Sequence, residues 1–141
     1  MQPTRLMGVT AVAIALATSL HAQAPVSLRP GLYERNFETE AAGATGKNKD
    51  TLCMTPEAAK DVVKTIAAAG AEANCKVSNV KTAAGGKLTF TMTCKDEGGV
   101  STYENDVTYG PDWYNILSKG KTSQGAISSK VTAKRVGDCP K

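Results

Sequence analysis

The sequence predicts a mainly β domain: an antiparallel β-sheet of about seven strands, curved into a closed or nearly closed barrel, with one α-helix packed on it and two disulfides. Three observations predict it. Leu88, Phe90, Met92 and Cys94 alternate strictly with Thr89, Thr91 and Thr93, the pattern of a strand with one apolar and one hydroxyl-bearing face. Other β-patterned runs are separated by short clusters with turn chemistry, such as Gly110-Pro111-Asp112 and Ser123-Gln124-Gly125. Four cysteines, Cys53, Cys75, Cys94 and Cys139, follow an N-terminal export signal, and an even number in a small exported chain reads as a disulfide framework.

The export signal is a single basic residue, Arg5, then an apolar stretch from Leu6 to Leu20, then small residues at Ala22 and Ala24. Pro25 hinders cleavage after Ala24, so the expected cut follows Ala22 and leaves one disulfide-stapled β domain over residues 23–141. The apolar run is shorter than the roughly 20 residues that span a bilayer, and no later run approaches that length. The expected location is therefore periplasmic or secreted, with no stable membrane anchor. The cleaved chain keeps 16 basic against 13 acidic residues, and they are intermixed. Lys130 and Lys134 share one strand face and Arg135 takes the other, so no like-charge run marks a nucleic-acid partner.

Taken in order, residues 31–40 and 47–53 form a first hairpin around 42–46. Thr55 follows as a helix N-cap, with Pro56 at the first position, Glu57 in the first turn and Gly70 as a C-terminal stop. Ala59, Val62, Val63 and Ile66 make the helix stripe that faces the sheet, while Lys60, Asp61 and Lys64 face water. Residues 75–81 pair with 88–94 around Ala83-Ala84-Gly85-Gly86; if Thr82 faces Lys87, Val77 falls opposite Met92 and Cys75 opposite Cys94. Strands over 100–109, 113–121 and 126–136 complete the set. Strand directions leave the first and last strands antiparallel, able to pair and close a barrel. Cys53 and Cys139 then share the upper end, and Cys75 and Cys94 the lower. The favoured pairing is Cys53 with Cys139 and Cys75 with Cys94; Cys53 with Cys75, bracketing the helix, is the alternative.

The one histidine, His21, leaves with the signal peptide, so neither a Ser-His-Asp nor a Cys-His arrangement can be assembled. Ser118 with Lys121 and Ser78 with Lys81 match S-x-x-K, but in strands that spacing puts the two side chains on opposite faces. Glu34, Glu38 and Glu40 share one strand face and Glu104 and Asp106 another, which reads first as the wet face of a sheet and second as carboxylates for a hydrolase. The chain has no C-x-x-C pair for zinc or redox work and no Gly-rich phosphate loop. No catalytic residue, metal or cofactor is expected. Tyr103, Tyr109, Trp113 and Tyr114 cluster around the 110–112 turn, and alternation sends Trp113 and Tyr114 to opposite faces. This pair is the tentative ligand-binding site, one member in the core and the other nearer solvent or the barrel mouth.

Arg29-Pro30-Gly31-Leu32-Tyr33-Glu34, Cys53-Met54-Thr55-Pro56-Glu57, Cys75-Lys76-Val77 and Lys134-Arg135-Val136-Gly137-Asp138-Cys139 together resemble exported proteobacterial proteins of the domain of unknown function family 3617. The resemblance spans nearly the whole cleaved chain, with Tyr33 where many members are expected to carry tryptophan. It implies a periplasmic location and structural cysteines, and no activity. The function expected is a non-catalytic module that binds a small ligand or an envelope protein; the alternative is a small carboxylate-dependent hydrolase. N-terminal sequencing of the protein purified from the periplasm should begin at Gln23, whereas an intact Met1 would remove the basis for the compartment.

Overall fold

The computed structural model describes residues 25–141; the expected signal peptide, residues 1–22, and the cut before Gln23 lie outside them. The described chain runs β1 (Gly31–Ala41), β2 (Ala44–Met54), α1 (Pro56–Lys60), α2 (Val62–Glu72), β3 (Cys75–Ala83), β4 (Lys87–Asp96), β5 (Gly99–Gly110), β6 (Trp113–Thr122) and β7 (Gly125–Gly137). The strands form one sheet in the order β2-β1-β7-β6-β5-β4-β3, each pair of neighbours antiparallel. The first and last strands do pair, Phe37 opposite Val131.

That pairing does not close a barrel, and the expected closure is corrected here. β1 already carries β2 on its other side, so joining β1 to β7 leaves β2 and β3 as the two edges. Six antiparallel steps separate them, so they run in the same direction and their connection must cross a face of the sheet. α1 and α2 make that crossing. A helix with its side chains is about 10 to 12 Å across, whereas paired strands sit under about 5 Å apart, so the crossing strap over residues 54–74 occupies the inner face and props the edges apart.

Two disulfides hold the strap at its ends. Cys53, just before it, is bonded to Cys139, with a Cα–Cα distance of 5.4 Å. Cys75, just after it, is bonded to Cys94 at 4.0 Å. The Cys75–Cys94 register is the expected one, although the hairpin reaches it differently. The loop is shorter by one step, so Thr82 pairs with Leu88 rather than Lys87, and a bulge between Ser78 and Lys81 restores the pairing of Val77 with Met92. Asn79 takes a φ of 52° in that bulge, and its amide donates to Thr91 at 3.3 Å, the local compensation that makes a left-handed asparagine tolerable.

The strap holds two helices rather than one. Thr55 caps α1 as expected, accepting from the Ala58 amide at 3.2 Å, with Pro56 at its start. Asp61, expected on the water-facing side of a continuous helix, instead leaves helical geometry (φ −135°) and caps α2, accepting from the Lys64 amide at 2.9 Å. The Thr65 hydroxyl lies 3.0 Å from the carbonyls of both Ala58 and Asp61, which ties the second helix to the end of the first. Gly70 is not a stop: α2 runs past it to Glu72. A Cβ at Gly70 would stand 3.2 Å from Val77 Cγ2, so glycine permits the close approach of α2 to β3.

Tyr33 is the most deeply buried large side chain described, with no exposure. Its ring lies 5.7 Å from that of Tyr114, two strands away; on the intervening β7, Tyr114 stands opposite Ala133 and Tyr33 opposite Arg135, and all but Arg135 belong to one buried cluster. Such a pair is worth about 0.5 to 1.5 kcal/mol beyond its burial. Non-reducing peptide mapping should link Cys53 to Cys139 and Cys75 to Cys94. On the chain-entropy model, removing the long bridge should cost about 4 to 5 kcal/mol and the hairpin bridge about 3, read as a fall in denaturant midpoint.

Candidate functional site

Strand alternation sorts the polar chemistry onto the outer face. Glu34 pairs across strands with Lys134, Glu38 with both Lys130 and Lys47, and Glu104 with Lys119. Lys47 and Glu38 form an ion pair at 3.2 Å, and Glu104 accepts from the Thr91 hydroxyl at 3.2 Å. Glu38 and Glu40 do border an open groove of about 250 Å³, but Lys119 and Lys130 border it too. Opposite charges directly across strands favour this register. Of the serine–lysine pairs, Ser118 donates to Asn105 Oδ1 at 2.5 Å, while Lys121 stands three positions along the same strand and so on the opposite face.

Two of the motifs that carry the family resemblance, residues 29–34 and 134–139, meet at the upper end of the sheet and form a clasp there with the 110–112 turn. The Arg29 amide donates to the Pro111 carbonyl at 2.8 Å, and the Arg29 guanidinium pairs with Asp112, in a contact that holds the Asp112 carboxyl below its ordinary value. The Tyr33 hydroxyl donates to the Arg29 carbonyl at 2.7 Å. Arg135 Nε donates to the Pro30 carbonyl at 2.9 Å, and its terminal nitrogen meets Asp138 at 2.5 Å. These groups join the entering N-terminal segment, the β5–β6 turn and the end of β7. Their donors and acceptors are spent on one another, which is the behaviour of a structural joint.

An apolar hollow lies elsewhere, between the strap and the inner face. It measures about 120 Å³ and has four walls: Leu52 and Met54 of β2; Ala58, Val62, Thr65 and Ile66 of the strap; Val107 and Tyr109 of β5; Tyr114 and Ile116 of β6. Leu28 of the entering segment lines it as well. Apart from the Thr65 hydroxyl and the two phenols, these side chains are apolar. The larger hollows, up to about 510 Å³, are open troughs around the 42–43 and 123–126 turns. Lining rather than size separates the two kinds: the troughs are bordered by polar and apolar groups alike, whereas the hollow under the strap is almost wholly apolar.

A family model described as "Protein of unknown function (DUF3617)" matches residues 28–139. The chain belongs to that family. No curated protein and no solved structure matches it.

The DUF3617 domain sends the two aromatic residues of the expected site in opposite directions, as alternation requires. Tyr114 is 7% exposed and lines the cavity; Trp113 is 43% exposed on the outer face. The Trp113 indole covers Gly110 on the adjacent strand, where a Cβ would overlap it. Burial pushes the Tyr114 phenol above its ordinary value, and the Arg35 guanidinium opposes that rise. Arg35 is itself held by Asp50, at 2.6 and 2.5 Å, and lies 5.1 Å from the centre of the Phe37 ring.

Sequence reasoning missed the rest of the lining. The signal for Val62 and Ile66 was present in the helix stripe, but that stripe reads equally as close packing. Replacing Tyr114 by Ala should cost about 3 to 5 kcal/mol as a large-to-small core change. Replacing Trp113 by Ala should cost about 1 kcal/mol or less. Urea denaturation of the two variants measures both, and equal losses would contradict the assignment of inner and outer faces.

Proposed function

We propose that this DUF3617 protein is an exported, non-catalytic binding module that takes an apolar small molecule, or the apolar part of one, into the cavity between strap and sheet. The single observation that carries the reading is that the cavity divides the core. Leu28, Tyr33, Met54, Ala59, Tyr114 and Ala133 form one cluster and Leu88, Phe90 and Val107 another; Val62, Tyr109 and Ile116 border both clusters and line the void. The lining is almost wholly apolar, so an occupant of the 120 Å³ hollow removes apolar surface from water there. An apolar cavity of about 150 Å³ stays dry and binds benzene, which sets the size of what fits here. Export is supported by the N-terminal sequence and by two disulfides, bonds that persist in oxidising compartments.

Benzene tests this reading on the protein isolated from the periplasm. It should raise the melting temperature in a saturable way, by about 4 °C for each 1 kcal/mol of binding stabilisation in a domain of this size. Ala58→Leu, which fills the void from the strap side, should stabilise the free protein by about 1 kcal/mol and abolish the benzene shift. A filled variant that keeps the full shift would place the binding elsewhere and overturn the reading.

A further inference from the structure

We infer that the ligand is an uncharged amphiphile, with a short alkyl or acyl tail in the cavity and a neutral hydrogen-bonding head on a row of hydroxyls beyond its mouth. This rests on the proposed use of the cavity and adds the chemistry of the head. Next to the cavity on the inner face lies an apolar cross-strand row, Phe37 opposite Val131 and Val131 opposite Ile116. Two residues further along each strand lies a polar row: Thr39 opposite Ser129, Ser129 opposite Ser118, and Ser118 opposite Asn105. A tail anchored against Tyr114 and Ile116 and leaving along the strands therefore meets first an apolar strip and then hydroxyls.

The members of the polar row are not equally committed. Asn105, 3% exposed, donates to the carbonyls of Phe90 and Tyr103 and accepts from Ser118. Thr39 and Ser129 are half-buried, and among the described residues their hydroxyls take part in no hydrogen bond with the protein. They stand as an adjacent pair able both to donate and to accept. The charged groups that border the same groove as Thr39 and Ser129 are of both signs, Glu38 and Glu40 with Lys119 and Lys130, and Glu38 is already paired with Lys47. An anionic head would gain a lysine only against the glutamates, and a cationic head a glutamate only against the lysines. A neutral head avoids both penalties, since a half-buried charge without its own partner is costly.

Four probes with one tail separate the possibilities: hexanol, hexanamide, hexanoate and hexylamine, titrated calorimetrically at about pH 7 into the periplasmic protein. Hexanol and hexanamide should bind at least about tenfold more tightly than either charged probe. In the double variant Thr39→Val with Ser129→Ala, hexanamide should weaken about fivefold, the worth of one lost hydrogen bond, while benzene binding stays unchanged. If all four probes bind alike, or a charged probe binds best, the head assignment is overturned and the cavity reading stands. If no hexyl probe and no benzene binds, both fall together. Unchanged hexanamide binding in the double variant would also overturn the role of the hydroxyl pair.

Discussion

The strap over residues 54–74 is the constraint on which the rest of the structure depends. It joins two edge strands that run in the same direction, so it has to cross the sheet. Between Thr55 and Asn74 its hydrogen bonds, among the described residues, stay within the strap, except that the Asn74 carbonyl accepts from the Lys95 amide at 3.2 Å and the Ala73 carbonyl lies 3.3 Å from Cys75 Sγ. Its hold on the sheet comes instead from a disulfide at either end and from apolar side chains in the middle. Val62, Val63 and Ile66 are only half-buried, so the middle is loosely seated between anchored ends. A sheet kept open, a divided core and an apolar hollow are three consequences of the same crossing.

The upper clasp and the lower hairpin bridge make that arrangement tolerable. At the top, Arg29, Tyr33, Asp112, Arg135 and Asp138 lock the entering segment onto the β5–β6 turn and β7, with Cys53–Cys139 alongside. At the bottom, Gly70 lets α2 approach β3 next to the Cys75–Cys94 bridge. The outer face adds cross-strand charge pairs, individually worth little, which favour the register of β1 against β7 and of β5 against β6. Two glycines on β5 and β6 lie beneath aromatic rings, Gly120 under Tyr103 and Gly110 under Trp113. Burial of the ring then replaces the packing that a glycine in a strand forgoes.

Local patterns made the elements legible and left their assembly open. Strict alternation and turn chemistry located all seven strands, and the cysteine pairing followed from strand polarity. In the β3–β4 hairpin the expected loop register was off by one, and the bulge at Asn79 cancelled it before Val77. A bulge is set by twist and side-chain partners across the sheet, which a single strand does not display. The barrel failed for a different reason. Chain order says which strands can pair, but the connection from β2 to β3 decides whether the edges meet, and its thickness is a tertiary fact. Asp61 belongs to the same class: water-facing on a helical wheel, it is also a strong N-cap residue, and only the crossing path decides between the two. The cavity was illegible because it depends on how far the strap stands from the sheet, while Thr39 and Ser129 are ordinary strand residues until their neighbours are known.

The strap is fastened at its ends and loosely seated along its length. Native-state hydrogen exchange resolves it most directly, because local opening and global unfolding give separate free energies. Amides of α2 should exchange through a local opening at least about 2 kcal/mol below the global value, while amides of β6 and β7 exchange only by global unfolding. Benzene should raise the α2 opening energy selectively. Amides of α2 protected to the same free energy as those of β6, with no response to benzene, would contradict it.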